Sequence, residues 1–271
     1  VTVVSSAKTF DWGKPNANAI SVATVVADTA KTTIFAYESG AVMPGLTAPA
    51  RRVGLFLYDD TAASFTANGT ALLDAAIKWA RGGASISGSL AVSSGSSSVD
   101  LTAQGLNDWA HWGLVTEGSF DHKAGITPLI SNYALLGTAG VLRLTDNPTM
   151  FSWNDGTPTA TTTNTSTGVF VNNVAGNGFQ ITVPADTNPR TLKIYVGLWY
   201  AQGKLEATLS DGSAPAYVDT GLSGNAGTKN GVYTISFKAA STGQTLRVRY
   251  TLFTNYFAPY GNVTLEAATL Q

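Results

Sequence analysis

Between residues 179 and 268 apolar side chains recur at every second position. Phe179, Ile181 and Val183 alternate with Gln180 and Thr182. Leu192, Ile194, Val196 and Leu198 alternate with Lys193, Tyr195, Gly197 and Trp199. Leu205, Ala207 and Leu209 alternate with Lys204, Glu206 and Thr208. The pattern returns at Leu246–Leu252 and at Val263–Ala268. A period of two puts successive side chains on opposite faces of a strand. One dry face and one wet face are what an antiparallel sandwich requires. Turn residues at Asn154–Asp155–Gly156, Asn177–Gly178, Gln202–Gly203, Asp211–Gly212, Asn230–Gly231 and Thr242–Gly243 are expected to separate the strands. About eight strands and no helix are predicted for this half, in a jelly-roll-like β-sandwich.

The chain changes character before that region. Residues 82–99 read GGASISGSLAVSSGSSSV, without a charge. The predicted organisation is a small α/β segment at 1–82, a Gly/Ser-rich linker at 83–98 and a β-sandwich domain at 99–271. The first segment offers strand candidates at 1–6, 18–26, 32–37 and 52–57. A helix is predicted over 64–80, with Leu72, Leu73, Ala76, Ile77 and Ala80 on one face, Thr66 as its cap and Gly82–Gly83 as its end. Continuous apolar strands followed by a helix suggest a parallel or mixed sheet. One helix covers only one face, so this segment reads as incomplete. The fold class expected for the whole chain is mainly β.

Composition narrows the function. Charged residues are 12% of the 271 and the net charge is −1, without the basic excess expected of a nucleic-acid binder. The absence of Cys excludes thiol nucleophiles, disulfides and thiolate metal sites. No apolar run is long enough to span a membrane as a helix, and no basic-then-apolar leader opens the chain. Low charge with abundant Thr, Ser, Asn and Gly suits an extracellular or cell-surface protein.

Two resemblances accompany these readings. Residues 12–82, through FAYESGAVMPGLTAPARRVGLFLYDDTAASFTANGTALLDAAIKWA, resemble the C-terminal part of trehalose-utilisation, glutamine-amidotransferase-like α/β domains. The stretches FSWNDGTPTATTTNTSTGVFV, ITVPADTNPRTLKIYVGLW and LEATLSDGSAPAY resemble accessory β-sandwich regions of bacterial secreted proteins, similar in style to carbohydrate-binding modules. The first implies no catalytic residue here, because the positions that would carry it are missing. The second implies a class of ligand and not a substrate.

The candidate binding residues are aromatic. A flat exposed ring packs on the C–H faces of a pyranose while nearby polar groups take its hydroxyls. Trp109 and Trp112 lie in DWAHWG, where at least one ring is expected in the core. Tyr195 and Trp199 fall on the wet face of their strand, with Tyr200 beside them. Tyr256, Phe257 and Tyr260 occupy the loop TNYFAPYGN, and Trp153 is a weaker case. Asp108, His111, Asp121 and His122 could meet on two strands as a metal site, although hydrogen-bonded His–Asp pairs explain them as well. Glu38, Asp59 and Asp60 stand at strand ends, where a solvated loop accounts for them. No cofactor is expected. The loop carboxylates Asp146, Asp155, Asp186, Asp211 and Asp219 leave room for a structural calcium, with ordinary turn chemistry the simpler account. Sequon matches at Asn68, Asn164 and Asn262 are expected by chance in so Thr-rich a chain.

These features point to a non-catalytic accessory protein that binds a polysaccharide or other glycan. The alternative is a self-assembling subunit of an extracellular filament or surface layer, in which the opening strand VTVVSS pairs with another chain's sheet edge. A fragment of a secreted hydrolase is the second alternative. Two His, no GxSxG motif and no carboxylate pair assignable to one site stand against it.

Overall fold

The structure is a computed structural model that describes residues 2–80, 83–93 and 95–271. Strands take 51% of the chain and helices 8%, which makes the fold mainly β. The chain divides into two compact units, Val1–Ala84 and Ser85–Gln271.

The first unit contains β1 (Ile20–Val25), β2 (Asp28–Tyr37), β3 (Val42–Met43), β4 (Leu46–Thr47), β5 (Arg52–Gly54) and the helix α1 (Ala67–Ala80). Its main sheet runs β1-β2-β5, and both pairings are antiparallel. The expected parallel or mixed sheet does not form. Two residues join β1 to β2, and so short a connection permits only an antiparallel partner. Thr66 caps α1 as the sequence suggested, its hydroxyl accepting from Gly69 N at 3.3 Å. Gly82, part of the predicted helix end, lies outside the described residues. The opening run is used within its own unit. Thr66 Oγ1 donates to Thr2 O at 2.8 Å and Val4 bridges to Phe65, which removes residues 2–6 as a free strand. The unit's core stays loosely filled. An apolar groove of about 620 Å³ is lined by Val4, Phe10, Val25, Ile34, Phe56 and Leu72, and Trp12, Val22 and Ile77 are exposed.

The second unit comprises β6 (Ser85–Val92), β7 (Ser97–Asp100), α2 (Leu101–Gln104), β8 (Asp108–Trp112), β9 (Phe120–Lys123), β10 (Ala134–Leu136), β11 (Leu142–Leu144), β12 (Thr149–Trp153), β13 (Gly156–Thr157), β14 (Thr162–Thr165), β15 (Gly168–Asn172), β16 (Gly178–Ala185), β17 (Arg190–Leu209), β18 (Tyr217–Asp219), β19 (Ser223–Lys238), β20 (Gln244–Asn255) and β21 (Asn262–Leu270). The expected linker is therefore structural. Residues 85–92 pair with β19 along their whole length, Ser85 opposite Lys238 and Val92 opposite Gly231. The small side chains of this stretch lie close to larger neighbours, and a Cβ at Gly88 would meet the Tyr217 ring at 2.5 Å.

The 20-residue strand β17 organises this unit. Arg190–Trp199 pairs with β19 and β21, while Ala201–Leu209 pairs mainly with β20 and β18. The switch falls at Tyr200, whose φ is +46°. Sandwich corners are made where a strand bends from one layer into the other. Leu192, Ile194, Val196 and Leu198 from one half of β17 are buried, as are Leu205, Ala207 and Leu209 from the other, together with Phe179, Ile181, Val248 and Ile235. Across the layers Tyr233 meets Tyr250 at 6.3 Å. Gln202–Gly203 and Asn230–Gly231 lie inside β17 and β19 and are not turns. Glycine is there for clearance. A Cβ at Gly203 would strike Tyr250, and one at Gly231 would come within 2.8 Å of Leu90.

A second small sheet, β14-β12-β7, packs with α2 on part of the outer face of the first layer. Asp100 caps α2 by accepting from Ala103 N at 3.1 Å, so this half is not free of helix. The covered cluster is Val99, Leu101, Trp109, Phe151, Trp153, Tyr195 and Ala267. A face that alternation marks as wet is thus dry over half its length.

Candidate functional site

That partial cover removes several sequence candidates. Trp109 and Trp112 are fully buried, and their indole N–H groups donate to Asp155 Oδ1 and Asn132 Oδ1, each at 2.9 Å. Trp153 is buried with its N–H on Thr159 O at 2.9 Å. Tyr195 is buried and donates to Gln104 Oε1 at 2.6 Å, with burial pushing its hydroxyl up to about 12. All four are core residues, each polar tip already partnered.

Of the four residues considered for a metal, Asp108, Asp121 and His122 are engaged elsewhere, and His111 is enclosed by aromatic rings. The Asp108 carboxylate accepts from the backbone of Trp109, Leu129 and Ile130 at 2.7–2.8 Å. Burial still raises its pKa against those three bonds. Asp121 accepts from Thr159 N at 2.9 Å, and His122 Nδ1 lies 3.1 Å from Lys123 O. His111 is buried against Phe151 and Trp153, and burial drives its pKa down to about 3, so the ring is neutral. Among the described residues no group of three His, Asp or Glu converges. The loop carboxylates serve turns and ion pairs: Asp155 with Lys123 at 2.7 Å, Asp186 with Arg190 at 2.8 Å, Asp211 with Ser213 N and Asp219 with Gly221 N.

The remaining candidates gather at the β17 corner. Trp199 lies edge-on to Tyr200 and Phe257, with centroids 4.6 and 5.6 Å away. Phe257 continues to Tyr260 at 5.6 Å. Tyr256, Phe257 and Tyr260 are 44%, 48% and 58% exposed. Tyr256 N donates to Tyr200 O at 2.9 Å, which ties the loop to the corner. A bulky residue at positive φ is held there by surrounding contacts at a conformational cost. The left-handed turn at Tyr200 sets its ring against both Trp199 and Phe257, at 4.6 and 5.5 Å.

Beside this platform a cleft of about 230 Å³ opens on the uncovered end of the outer face. It is lined by Phe170, Trp199, Asn230, Asn262 and Thr264, with Leu144, Asp146, Asn147, Leu198 and Thr228 completing its margin. Adjacent strands supply the floor. Gly197 on β17 stands opposite Asn230 on β19 and Thr264 on β21. Behind the floor is Glu266, buried to 1% exposure. It sits at an irregularity in β21, where Leu265 pairs with Val196, Ala267 pairs with Tyr195 and Glu266 is skipped. Such a bulge re-aims a side chain. Glu266 Oε1 accepts from Asn230 Nδ2 at 2.8 Å and from Thr264 Oγ1 at 3.0 Å. Asn230 also donates to Asn147 Oδ1. Burial raises the Glu266 pKa to about 7, opposed by the Asn147, Thr264 and Asn230 side chains. Glu266 Oε2 and Asn147 Nδ2 lack a well-formed hydrogen bond among the described residues.

Of the sequence candidates the structure places Trp199 on this cleft, and the lining residues Asn147, Asn230 and Thr264, with Glu266 behind them, were not among those candidates. One signal was available: Glu266 is the lone charge in the nine-residue strand NVTLEAATL.

No family model matches the chain, and no curated protein matches it. The amidotransferase-like resemblance of residues 12–82 thus has no family match beside it. Among solved structures, a carbohydrate-binding module described as TmCBM61 in complex with beta-1,4-galactotriose is similar over 52% of this chain and 88% of its own, at 13% identity and a TM-score of 0.33. The enzymatically active domain of Bacteriophage CBA120 tailspike protein 4 is similar over 53% of this chain and 19% of its own, at 11% identity and a TM-score of 0.34. A carbohydrate-binding module of the β-sandwich superfamily, described as promiscuous in specificity, matches 54% of this chain and 58% of its own, at 9% identity and a TM-score of 0.27.

Proposed function

We propose that the second unit is a non-catalytic glycan-binding domain whose site is the cleft between Phe170 and Trp199. The observation that carries this reading is the pairing of an aromatic wall with a floor of amide and hydroxyl groups. Sugars present both an apolar C–H face and a set of hydroxyls, and a site built for them supplies a partner for each. The exposed rings of Phe257 and Tyr260 extend the wall away from the cleft, a length suited to an oligosaccharide. The role is non-catalytic because Glu266 lies behind Asn230 and Thr264, leaving Asp146 as the carboxylate on the lining. Glycoside hydrolysis takes two carboxylates flanking the scissile bond. Polysaccharide recognition fits an extracellular or cell-surface protein.

Retention of the full chain on insoluble polysaccharides and on a glycan array tests the reading. Trp199→Ala should weaken binding by about tenfold or more, the scale of a lost stacking contact. Unchanged binding in that variant, with its circular dichroism intact, would refute the site.

A second role, assembly into a filament or surface layer, is favoured by the unfilled apolar groove and exposed Trp12, Val22 and Ile77 of the first unit. Light scattering at rising concentration tests it. A mass fixed at 28.1 kDa would refute self-association.

A further inference from the structure

The other layer of the second unit has an open outer face. β10, β16, β20 and the Ala201–Leu209 half of β17 turn Phe179, Ile181, Val248 and Leu205 into the core. Alternation puts Gln180, Arg247, Arg249, Lys204 and Glu206 on the opposite side, and none of them is buried. The register sets them in rows. Gln180 stands opposite Arg249, which stands opposite Glu206, while Thr251 and Lys204 share the next row. Lys204, Arg247 and Arg249 thus meet a single carboxylate, Glu206, on this face of a chain whose net charge is −1.

A cleft of about 270 Å³ opens here, lined by Leu136, Gly176, Lys204, Glu206, Arg249 and Thr251. Gln180 Oε1 accepts from Arg249 Nε at 3.0 Å and anchors the guanidinium from the neighbouring strand. The Nη groups of Arg249 have no hydrogen bond or ion pair among the described residues. Glu206, directly across, is drawn to Lys204 at 3.2 Å. The lining therefore holds an unused guanidinium fork and one surplus positive charge.

A planar fork matches a carboxylate through two parallel hydrogen bonds. One surplus charge balances a monoanion and falls short of a dianion. Leu136 on the lining and the exposed Phe253, two residues beyond Thr251 on the same face, offer apolar surface to a sugar ring. An acidic peptide would dock by strand addition at an open edge, whereas β16 and β20 are paired on both sides.

We propose that this cleft is a second glycan subsite, separate from the Trp199 cleft, which takes the carboxylate of an acidic sugar. Arg249 is the bidentate contact, Lys204 the second charge and Gln180 the positioning residue.

The experiment is calorimetric titration of the full chain at pH 7 with α-1,4-linked galacturonate and β-1,4-linked mannuronate trimers, each beside its methyl ester. Amide NMR spectra are recorded alongside. At least one acid should bind at least about tenfold more tightly than its own ester, the scale of a charge-assisted contact, and should shift the amides of Gln180, Arg249 and Thr251. Arg249→Lys keeps the charge, loses the fork and should weaken that acid by about tenfold. Arg247→Gln removes a charge from the same face outside the cleft lining and should weaken it by less than about threefold. Trp199→Ala should leave the preference unchanged, because that ring lines the other cleft.

Acid and ester binding alike, or neither acid binding, would overturn the subsite and leave the Trp199 cleft to be judged by its own variant. Full affinity in Arg249→Lys, or an equal loss in Arg247→Gln, would assign the preference to general charge attraction and overturn it. So would pentaglutamate or sodium sulfate binding as tightly with the same shifts, by making the face a general anion patch. A preference abolished by Trp199→Ala would move the acid to the first cleft and overturn this one.

Discussion

Glu266→Gln isolates one buried charge. The glutamate is raised from an ordinary 4.5 to about 7 in the folded protein, with burial as the main cause. Between those values the native state holds a proton that the unfolded chain has released. Stability therefore falls as pH rises through this window. A shift of about 2.5 units at 1.36 kcal/mol each amounts to about 3 kcal/mol lost between pH 4.5 and pH 8. Glutamine keeps the Oε1 acceptor for Asn230 and Thr264 and cannot ionise. The difference in unfolding free energy, variant minus wild type, should thus climb by about 3 kcal/mol over that interval. Every other titrating group cancels in the difference. Any fixed cost of placing an amide nitrogen beside Asn147 shifts the curve without tilting it. Urea unfolding followed by the fluorescence of buried Trp109, Trp112 and Trp153 reports on the second unit. A difference flat to within about 0.5 kcal/mol across the range, set against the predicted climb of about 3, would refute the argument. It would mean that Glu266 ionises as freely as an exposed carboxylate.

Other consequences follow from single residues. His111 is neutral in the fold with a pKa near 3, against an ordinary 6.5, so its contribution is intact above pH 6.5 and lost as pH falls toward 3. His111→Phe should spare the second unit about 3 kcal/mol of destabilisation at pH 4, measured as a lower acid-unfolding midpoint. An unchanged midpoint would show that the imidazole is hydrated. Gly203→Ala drives a methyl into Tyr250 and should cost about 1–3 kcal/mol in urea unfolding; a neutral result would mean the corner has slack. Tyr200→Gly relieves the positive φ while deleting a ring of the platform. Its stability should stay within about 1 kcal/mol of the parent while oligosaccharide binding weakens in the calorimeter. Full affinity in that variant would remove Tyr200 from the site.

The strands were legible because burial of one sheet face imposes a period of two on neighbouring residues, a local rule. Phe179–Val183, Leu192–Leu198 and Leu246–Leu252 obey it. Thr66 as a helix cap was legible for the same reason, since a cap and its helix adjoin in sequence. What covers the other face was not legible. Alternation marks Tyr195, Thr264 and Glu266 as wet, yet β7, α2 and β12 cover Tyr195 while Asn147 and Asn230 enclose Glu266. Those partners lie far away in the chain, so no local pattern announces them. The aromatic cluster DWAHWG shows the converse error, because an indole reads alike whether it meets a sugar or, as Trp109 does, the half-buried Asp155. Glycine carried the same ambiguity: Gly203 and Gly231 look like turns in sequence and in space are clearances for Tyr250 and Leu90. The sequence by itself determined a mainly β chain with an alternating core and an aromatic-bearing loop at Tyr256–Tyr260. Only the tertiary structure decided which half of the outer face stays open and which side chains enclose Glu266. Those depend on contacts between distant strands, whose long-range register a local pattern does not encode.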